Sequence, residues 1–378
     1  MSNRILFTAS TYSHIRSFHL PYLRAFQADG WEVHIACGGP IPHECGADRS
    51  FSVPFEKRMS SPANFRAQRM LRDLIKEHRD QLVITHTSLA AFFTRRAAAS
   101  LSPRPPVINM VHGYLFDDGT PLLKRSILLA AEKLTARQTD LLLTMNSYDL
   151  QAARQYRLGA RVEAVPGIGV DFSRLERPAA SPGLLRSGYG LRADDYVLLY
   201  AAEFSARKNQ EMLIRALPGL PSQVKLLLPG QGALLEQCRA LADTLGVGDR
   251  VVFPGFVSDM ASLYALADAA VSSSRSEGLP FNIMEAMYAR LPVVASRVKG
   301  HTDLIAEGRT GLLYPYGDIA AFQAQLRRLL DEPALGPALG EAAHEAVLPY
   351  GLERVLPQVM EKYGSLLPVG KTPALSPR

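Results

Sequence analysis

Two carboxylates, Glu277 and Glu285, stand eight positions apart in the string SSSRSEGLPFNIMEAMYAR, residues 272–290. A strand-like run ends there in serines, a short turn follows, and a helix is expected to start near Pro280. Proline suits a first helical turn because its missing N–H would have no intrahelical partner there anyway. Gly278 lets backbone approach a ligand closely, and Leu279, Pro280 and Phe281 lead into a helix N-terminus, where amides and the helix dipole favour an anion. A pyrophosphate fits such a place. A carboxylate accepts two hydrogen bonds from vicinal hydroxyls, so the pair is suited to hold ribose or a sugar ring. The plain alternative is one capping glutamate and one surface glutamate on an ordinary helix.

Other candidates lie further from this string. Lys208 comes just before a helical pattern, where an ammonium is a good point charge for phosphate; its neighbour Arg207 reads equally well as solvent-facing. Gly230 belongs to LPGQG (228–232), by itself only a tight turn, and Val252 and Phe253 to RVVFPG (250–255). In the first half, VHGYLF (111–116) places His112 at the end of a strand-like run, before Gly113. A satisfied structural histidine is the competing account. His86, in THTS, follows another such run. His14 and Arg16 follow the first run and could meet an acceptor phosphate, with a plain helix N-terminus as the alternative.

Parallel strands buried on both faces must position these groups. Expected strands are residues 4–9, 32–37, 81–87, 106–112 and 140–146, and after them 196–202, 224–228, 250–253, 269–274 and 292–296. Their successive Val, Ile and Leu suit strands covered on both sides. Helical patterns between them include 17–28, 64–78, 121–137, 210–217 and 234–245. This alternation predicts an α/β chain of two Rossmann-like domains, each with a mostly parallel, doubly wound sheet, facing a cleft. The expected boundaries are 1–176, 184–346 and 347–370, the last a C-terminal helix returning towards the first domain. RPAASPG (177–183) is the expected linker, and the tail KTPALSPR the expected disordered end.

Composition agrees with two soluble domains: 378 residues, 47% hydrophobic and 21% charged. Cys37, Cys45 and Cys238 are too scattered for a disulfide framework or a zinc site, and no second ligand pair accompanies His43 and Cys45. The N-terminus shows no signal-peptide pattern and no run is long and apolar enough to span a membrane, so a cytoplasmic location is expected. Between Lys57 and Arg137, 14 Lys/Arg stand against 6 Asp/Glu, a balance of +8 in a chain of net +6. Such a window suits an anionic membrane surface or a phosphorylated acceptor, a bare solvated face being the alternative. No nucleic-acid recognition motif accompanies it.

The string around Glu277 and Glu285 resembles the signature of retaining glycosyltransferases of family 4, which have the GT-B architecture. The resemblance implies that Glu277 contacts the donor sugar and Glu285 the ribose of a nucleotide-sugar donor. AAEFSARKNQ (201–210) resembles the turn that holds the donor diphosphate, with Lys208 its phosphate-binding lysine. Glu203 stands where many members have arginine, and Arg207 is expected to compensate. LPGQG resembles the family's glycine turn, RVVFPG the edge that holds the base, and His112 the histidine facing the donor sugar. The family's N-terminal glycine-rich loop is replaced by residues 11–16, without glycine. The wording HLPYL and HGYLF is similar to bacterial exopolysaccharide and capsule enzymes acting on polyprenyl-diphosphate-linked sugars.

By this resemblance the chain moves a hexosyl or N-acetylhexosaminyl group, with UDP the preferred carrier. The acceptor is a glycan or lipid-linked sugar, met at the inner face of the plasma membrane. His112, Glu277 and Lys208 are the expected catalytic group. Arg207, Gly230, Val252, Phe253, Gly278, Leu279, Pro280, Phe281 and Glu285 are the expected donor contacts, with His14, Arg16 and His86 on the acceptor side. No Asp-x-Asp occurs, in agreement with catalysis needing no bound metal or other cofactor. The competing readings are a nucleotide-sugar epimerase of the same architecture, and a two-lobed solute-binding protein, which would need export.

Overall fold

The computed structural model describes residues 3–367, so the expected disordered tail lies outside the described residues. These residues form two compact units: one runs up to Gly169 and resumes at Glu353, the other is Val170–Leu352. The chain passes out of the first unit upstream of RPAASPG. That stretch is held inside the second unit, where the Ala179 N–H donates to Ser262 Oγ at 2.8 Å. The outgoing and returning passages are tied together: the Val170 N–H donates to the Tyr350 carbonyl at 3.0 Å and the Leu352 N–H to the Val170 carbonyl at 2.9 Å.

The first unit's sheet has seven strands: β1 Asn3–Ala9, β2 Trp31–Cys37, β3 Arg49–Ser52, β4 Leu82–His86, β5 Val107–Val111, β6 Leu141–Thr144 and β7 Arg161–Ala164. Every pairing is parallel, in the order β3-β2-β1-β4-β5-β6-β7. The second sheet has β8 Tyr196–Leu199, β9 Val224–Leu227, β10 Val251–Val252, β11 Ala269–Ser272, β12 Val293–Ser296 and β13 Leu312–Tyr314. It too is parallel throughout, in the order β10-β9-β8-β11-β12-β13. The ten expected strands are all present, β1 and β2 starting one residue earlier than expected and the others trimmed at their ends. The edge strands β3 and β7 escape the hydrophobic reading because their residues are largely exposed and polar. The three-residue β13 is too short to signal itself.

The order reverses between β1 and β4 in one sheet and between β8 and β11 in the other, the places where such sheets bind ligands at their carboxyl ends. The two amino ends share a device. Asp140 accepts from the Val107 N–H and from Arg104, each at 2.7 Å, and Asp268 does the same for the Val197 N–H and Arg186. Each carboxylate thus satisfies an amide at the start of a neighbouring strand, the first of β5 and the second of β8.

The helix expected over 17–28 is two, Tyr12–Phe18 and Leu20–Ala28, broken at His19. Pro21 is the cause: it has no N–H to donate back and disfavours a helical residue before it. The C-terminal helix Leu352–Gly364 brings Tyr363, fully buried, among Phe7, Tyr22 and Phe26 of the first unit. Among the described residues no helix is long and apolar enough to cross a membrane.

Candidate active site

In the second unit the chain leaves β11 through Ser273 and Ser274, both buried, and their hydroxyls knit two loops together. Ser273 donates to the Lys208 and Asn209 carbonyls at 3.0 and 2.8 Å. Ser274 Oγ lies 2.7 Å from the Tyr200 hydroxyl, which in turn donates to the Lys208 carbonyl at 3.1 Å. The Arg275 N–H completes the lacing at the Arg207 carbonyl, 2.8 Å away. These bonds hold the turn after β8 against the turn after β11, at the reversal of strand order.

Glu277 is the centre of the arrangement and only 7% exposed. It accepts from Lys208 Nζ at 2.6 Å, Arg207 Nη1 at 2.7 Å and Ser274 Oγ at 2.6 Å. Burial pushes its carboxyl up, but the charges of Lys208 and Arg207 outweigh that and hold it at about 2. Burial lowers the Lys208 ammonium, with the attraction of Glu277 opposing. The pair is ionised, with hydrogen bonds to both carboxylate oxygens. Lys208 retains two further donors and the carboxylate one more lone-pair site for an incoming ligand. Beneath it His301, fully buried, donates from Nδ1 to the Ser296 carbonyl at 2.7 Å and meets Ser272 Oγ through Nε2 at 3.2 Å. Burial keeps this imidazole below its ordinary value, so a neutral ring supports the carboxylate.

The helix after the turn is Phe281–Tyr288, and Pro280 precedes it as the N-cap residue, with φ −77° and ψ 120°. The helix starts near Pro280 as expected, but the proline itself is extended and serves the entry of the chain rather than the first turn. Leu279 and Phe281 pack partly buried on the core. Gly278 is covered by Gly300, where an added Cβ would meet the Gly278 carbonyl oxygen at 2.7 Å. Gly300 also has φ +81°, which further excludes a side chain.

Glu285 is buried on this helix and paired with Arg174, while Tyr264 donates to its other oxygen at 2.9 Å. The same hydroxyl lies 3.2 Å from the Asn282 carbonyl, and Asn282 Nδ2 donates to the Ala201 carbonyl at 3.2 Å. Glu285 is thereby tied back to the end of β8. Gly230, at φ +149°, lies so close to the Ala202 carbonyl that a Cβ would overlap it, and its N–H donates to the Gly255 carbonyl at 2.7 Å. The Val252 carbonyl accepts from the Leu228 N–H at 2.9 Å. The Phe253 ring lies under the Arg239 guanidinium, 4.9 Å from its centre. Sequence reasoning passed over Arg174, Tyr200, Tyr264, Ser274 and His301. Only the serine run carried a signal.

In the first unit, His14, His86 and His112 come together, joined by His19. His86 Nδ1 lies 3.1 Å from His112 Nε2, and His19 Nε2 lies 3.3 Å from His14 Nε2. The His19 and His86 rings stack at 3.7 Å. Burial lowers the His14 imidazole to about 4, and burial with the neighbouring rings holds His19, His86 and His112 well below their ordinary value. The four rings are neutral at pH 7. After His86 the backbone is strained: Thr87 has φ +62°, unusual for a β-branched residue. Its hydroxyl is held by the Ser10 N–H at 2.9 Å and by Ser10 Oγ at 2.7 Å. Arg16 stands apart from the cluster, exposed in the last turn of its helix.

Known proteins share the sequence pattern and the fold of this chain. The profile "Glycosyltransferase Family 4" matches residues 22–174, and "Glycosyl transferases group 1" matches residues 184–346. The "Putative glycosyltransferase EpsD" of Bacillus subtilis (strain 168) is 34% identical over 376 residues, 97% of this chain and 98% of that protein. The Escherichia coli "UDP-Gal:alpha-D-GlcNAc-diphosphoundecaprenol alpha-1,3-galactosyltransferase" is 23% identical over 94% of this chain and 98% of its own length. Among solved structures, sucrose-phosphate synthase from Thermosynechococcus elongatus superposes with a TM-score of 0.82 at 21% identity, covering 96% of this chain and 99% of that one. Anabaena Alr3699/HepE in complex with UDP-glucose gives 0.78 at 19% identity, over 96% and 99% of the two chains. The two parallel sheets have the GT-B fold, and the chain belongs to glycosyltransferase family 4.

Proposed function

We propose that this glycosyltransferase moves a hexosyl or N-acetylhexosaminyl group from a nucleotide sugar, UDP preferred, to a glycan or polyprenyl-diphosphate-linked sugar. The observation that carries the reading is the ionised Glu277–Lys208–Arg207 group at the strand-order reversal of the second sheet. Lys208 spends one donor on Glu277 and presents the others to the leaving diphosphate. The backbone of Gly278, Leu279, Pro280 and Phe281 leads the same diphosphate to a helix N-terminus. Glu277 holds the sugar hydroxyls and Glu285 the ribose. Val252 and Phe253 border the base.

Transfer proceeds with retention. The acceptor oxygen bonds to the anomeric carbon on the face from which the diphosphate departs, and a donor phosphate oxygen takes the acceptor proton. The side chains position and stabilise charge, without a metal in the chemical step. His112 is assigned to the sugar, and His14, Arg16 and His86 to the acceptor. The choice of UDP leans on the E. coli galactosyltransferase and on HepE, whose names carry UDP. GDP is the alternative, because the mannosyltransferase of Mycolicibacterium smegmatis, 32% identical over half of this chain, is named as GDP-mannose-dependent.

The first unit also suits a peripheral place on the inner face of the plasma membrane, in bacterial surface-polysaccharide synthesis. On the helix Leu122–Thr135, Leu122, Leu123, Ile127 and Leu134 are exposed beside Lys124 and Lys133, and Leu115 is exposed nearby in sequence. Exposed leucines next to lysines are the composition of an interfacial helix. Flotation with anionic liposomes should capture the protein at low salt, and absence from the floated fraction would reject this placement.

The deciding experiment is nucleotide release from a panel of nucleotide sugars, with and without lipid-linked sugar, and NMR of the product's anomeric proton. Release from a UDP-sugar that requires acceptor, with the anomeric configuration kept, is expected. An epimerised donor formed without acceptor would sink the reading in favour of the epimerase.

A further inference from the structure

The first unit holds a small polar space that no step of the transfer reading uses. A cavity of about 40 Å³ lies between the end of β5, the start of the helix Ser88–Ala99 and the helix Leu122–Thr135. Ser88 and His112 are partly exposed at its mouth, while Asn109, Val111, Tyr114 and Glu132 are buried around it. Its polar groups are only half used. Asn109 Oδ1 accepts from the Thr85 hydroxyl at 3.0 Å, and Glu132 Oε2 accepts from Arg95 Nη2 at 2.9 Å. Arg95 is fully buried, and its Nε and Nη1 donate to the Ala91 carbonyl and the Thr139 hydroxyl. The other two atoms, Asn109 Nδ2 and Glu132 Oε1, meet no hydrogen-bond partner among the described residues. An amide donor and a carboxylate acceptor thus border one small space, and buried polar atoms of this kind call for a partner.

We propose that this cavity receives the acetamido group of an N-acetylhexosamine in the acceptor. The inference rests on the transfer reading and names the acceptor class which that reading leaves open. The occupant must accept a hydrogen bond from Asn109 Nδ2 and donate one to Glu132 Oε1. An acetamido group does both at once, with its carbonyl oxygen and its N–H. Its methyl finds apolar cover in Val111 and the Tyr114 ring, which pack in one cluster. Size agrees: at about 10–15 Å³ for each water-sized group, the cavity holds roughly three, enough for a ring substituent and too small for a sugar ring. A phosphate or carboxylate does not fit, because a further anion would meet the Glu132 carboxylate. An ammonium would serve Glu132 but leave Asn109 Nδ2 without an acceptor, and a lone hydroxyl would leave the apolar wall uncovered. Every lining residue belongs to the first unit, where the acceptor-side assignments lie, so the group is placed on the acceptor.

The test is the acceptor choice of the full chain. Two lipid-diphosphate acceptors are compared, one carrying N-acetylglucosamine and the other glucose, with nucleotide release as the readout. The acetamido acceptor should be used with a kcat/KM at least about 100-fold higher, because glucose leaves buried polar atoms unpaired. Asn109→Ala should bring that ratio to within about tenfold. Equal use of the two acceptors by the wild type, or an unchanged ratio in the folded variant, overturns the assignment. So does an acetamido preference confined to the donor, read by comparing UDP-N-acetylglucosamine with UDP-glucose. Should Asn109→Ala fail to fold, Ser88→Leu, which fills the mouth from a partly exposed position, should produce the same loss. Saturation-transfer NMR with methyl N-acetylglucosaminide and no donor separates the cavity from the transfer reading. The acetyl methyl should be the most strongly saturated group, and the variants should remove that pattern. Strong acetyl saturation without nucleotide release from either acceptor keeps the cavity as an N-acetylhexosamine site and sinks transfer. Uniform or absent saturation rejects the cavity even where transfer is found.

Discussion

The two sheets share parallel pairing and one reversal of strand order, yet they set different chemistry at that reversal. At its carboxyl ends the second sheet keeps an ionised carboxylate held by two cations and by the Ser274 hydroxyl. At the carboxyl ends of β4 and β5 the first sheet gathers neutral imidazoles, and it also carries a charged group at the other end. At the amino ends of β1 and β2, His34 meets Asp80 at 2.7 Å and Glu32 at 3.2 Å, and Glu32 also pairs with Arg4 and Arg49. Topology chooses where a site can be; the residues brought there choose its chemistry. A charge at the amino ends serves the fold, while a charge at the carboxyl ends of the second sheet is available to a ligand.

That division can be broken by mutation. Asp80→Asn should cost the most, about 3–5 kcal/mol of stability, because it leaves His34 buried beside half of its counter-charge. Turnover per folded molecule should be preserved. A thermal melt and an active-site-normalised rate check both, and a normal melting temperature would end the structural assignment. Lys208→Ala should do the reverse, lowering turnover roughly 10²–10³-fold with the fold retained. A folded variant with near-normal nucleotide release would remove Lys208 from the donor site. Tyr264→Phe removes one hydrogen bond to a charged oxygen and should raise the donor KM about tenfold with little change in kcat. An unchanged KM would separate Glu285 from donor binding.

The smallest effect sharpens the comparison through pH. Burial pulls the His34 imidazole down, but the hydrogen bonds and charges of Asp80 and Glu32 outweigh it and raise it. Its protonated form is therefore favoured by folding. That stability is complete below the ordinary value near 6.5 and is lost as pH rises through the raised value. Glu277 has the opposite sign: its contribution is complete above its ordinary value and is lost as pH falls towards about 2. Stability measured against pH should thus lose an alkaline-side slope in Asp80→Asn and an acid-side slope in Glu277→Gln. Slopes unchanged in both variants would contradict the assignment.

The interior strands were legible because strands covered on both faces leave continuous apolar runs. The loop around Glu277 was legible as a candidate site because its serines, glycine and two glutamates are close in sequence. Glu285 shows the limit: its position could be read, but its partners Arg174 and Tyr264 come from elements with no pattern of their own. The histidine cluster was hidden for the same reason. A search for closely spaced ligands finds nothing, because residues 14, 19, 86 and 112 meet only once β1, β4 and β5 lie side by side. His19 was obscured further by reading one helix through Pro21.

The return of the chain to the first unit sets the order in which the protein can be finished during synthesis. Ribosomes complete the N-terminal parts of most chains first. Here the aromatic plug Tyr363 leaves the ribosome only after every strand of the second sheet. Until then Phe7, Tyr22 and Phe26 lack the ring that packs among them. The nascent first unit therefore waits with an open aromatic socket while the second closes, and a helix made after the second sheet seals the strand that opened the first.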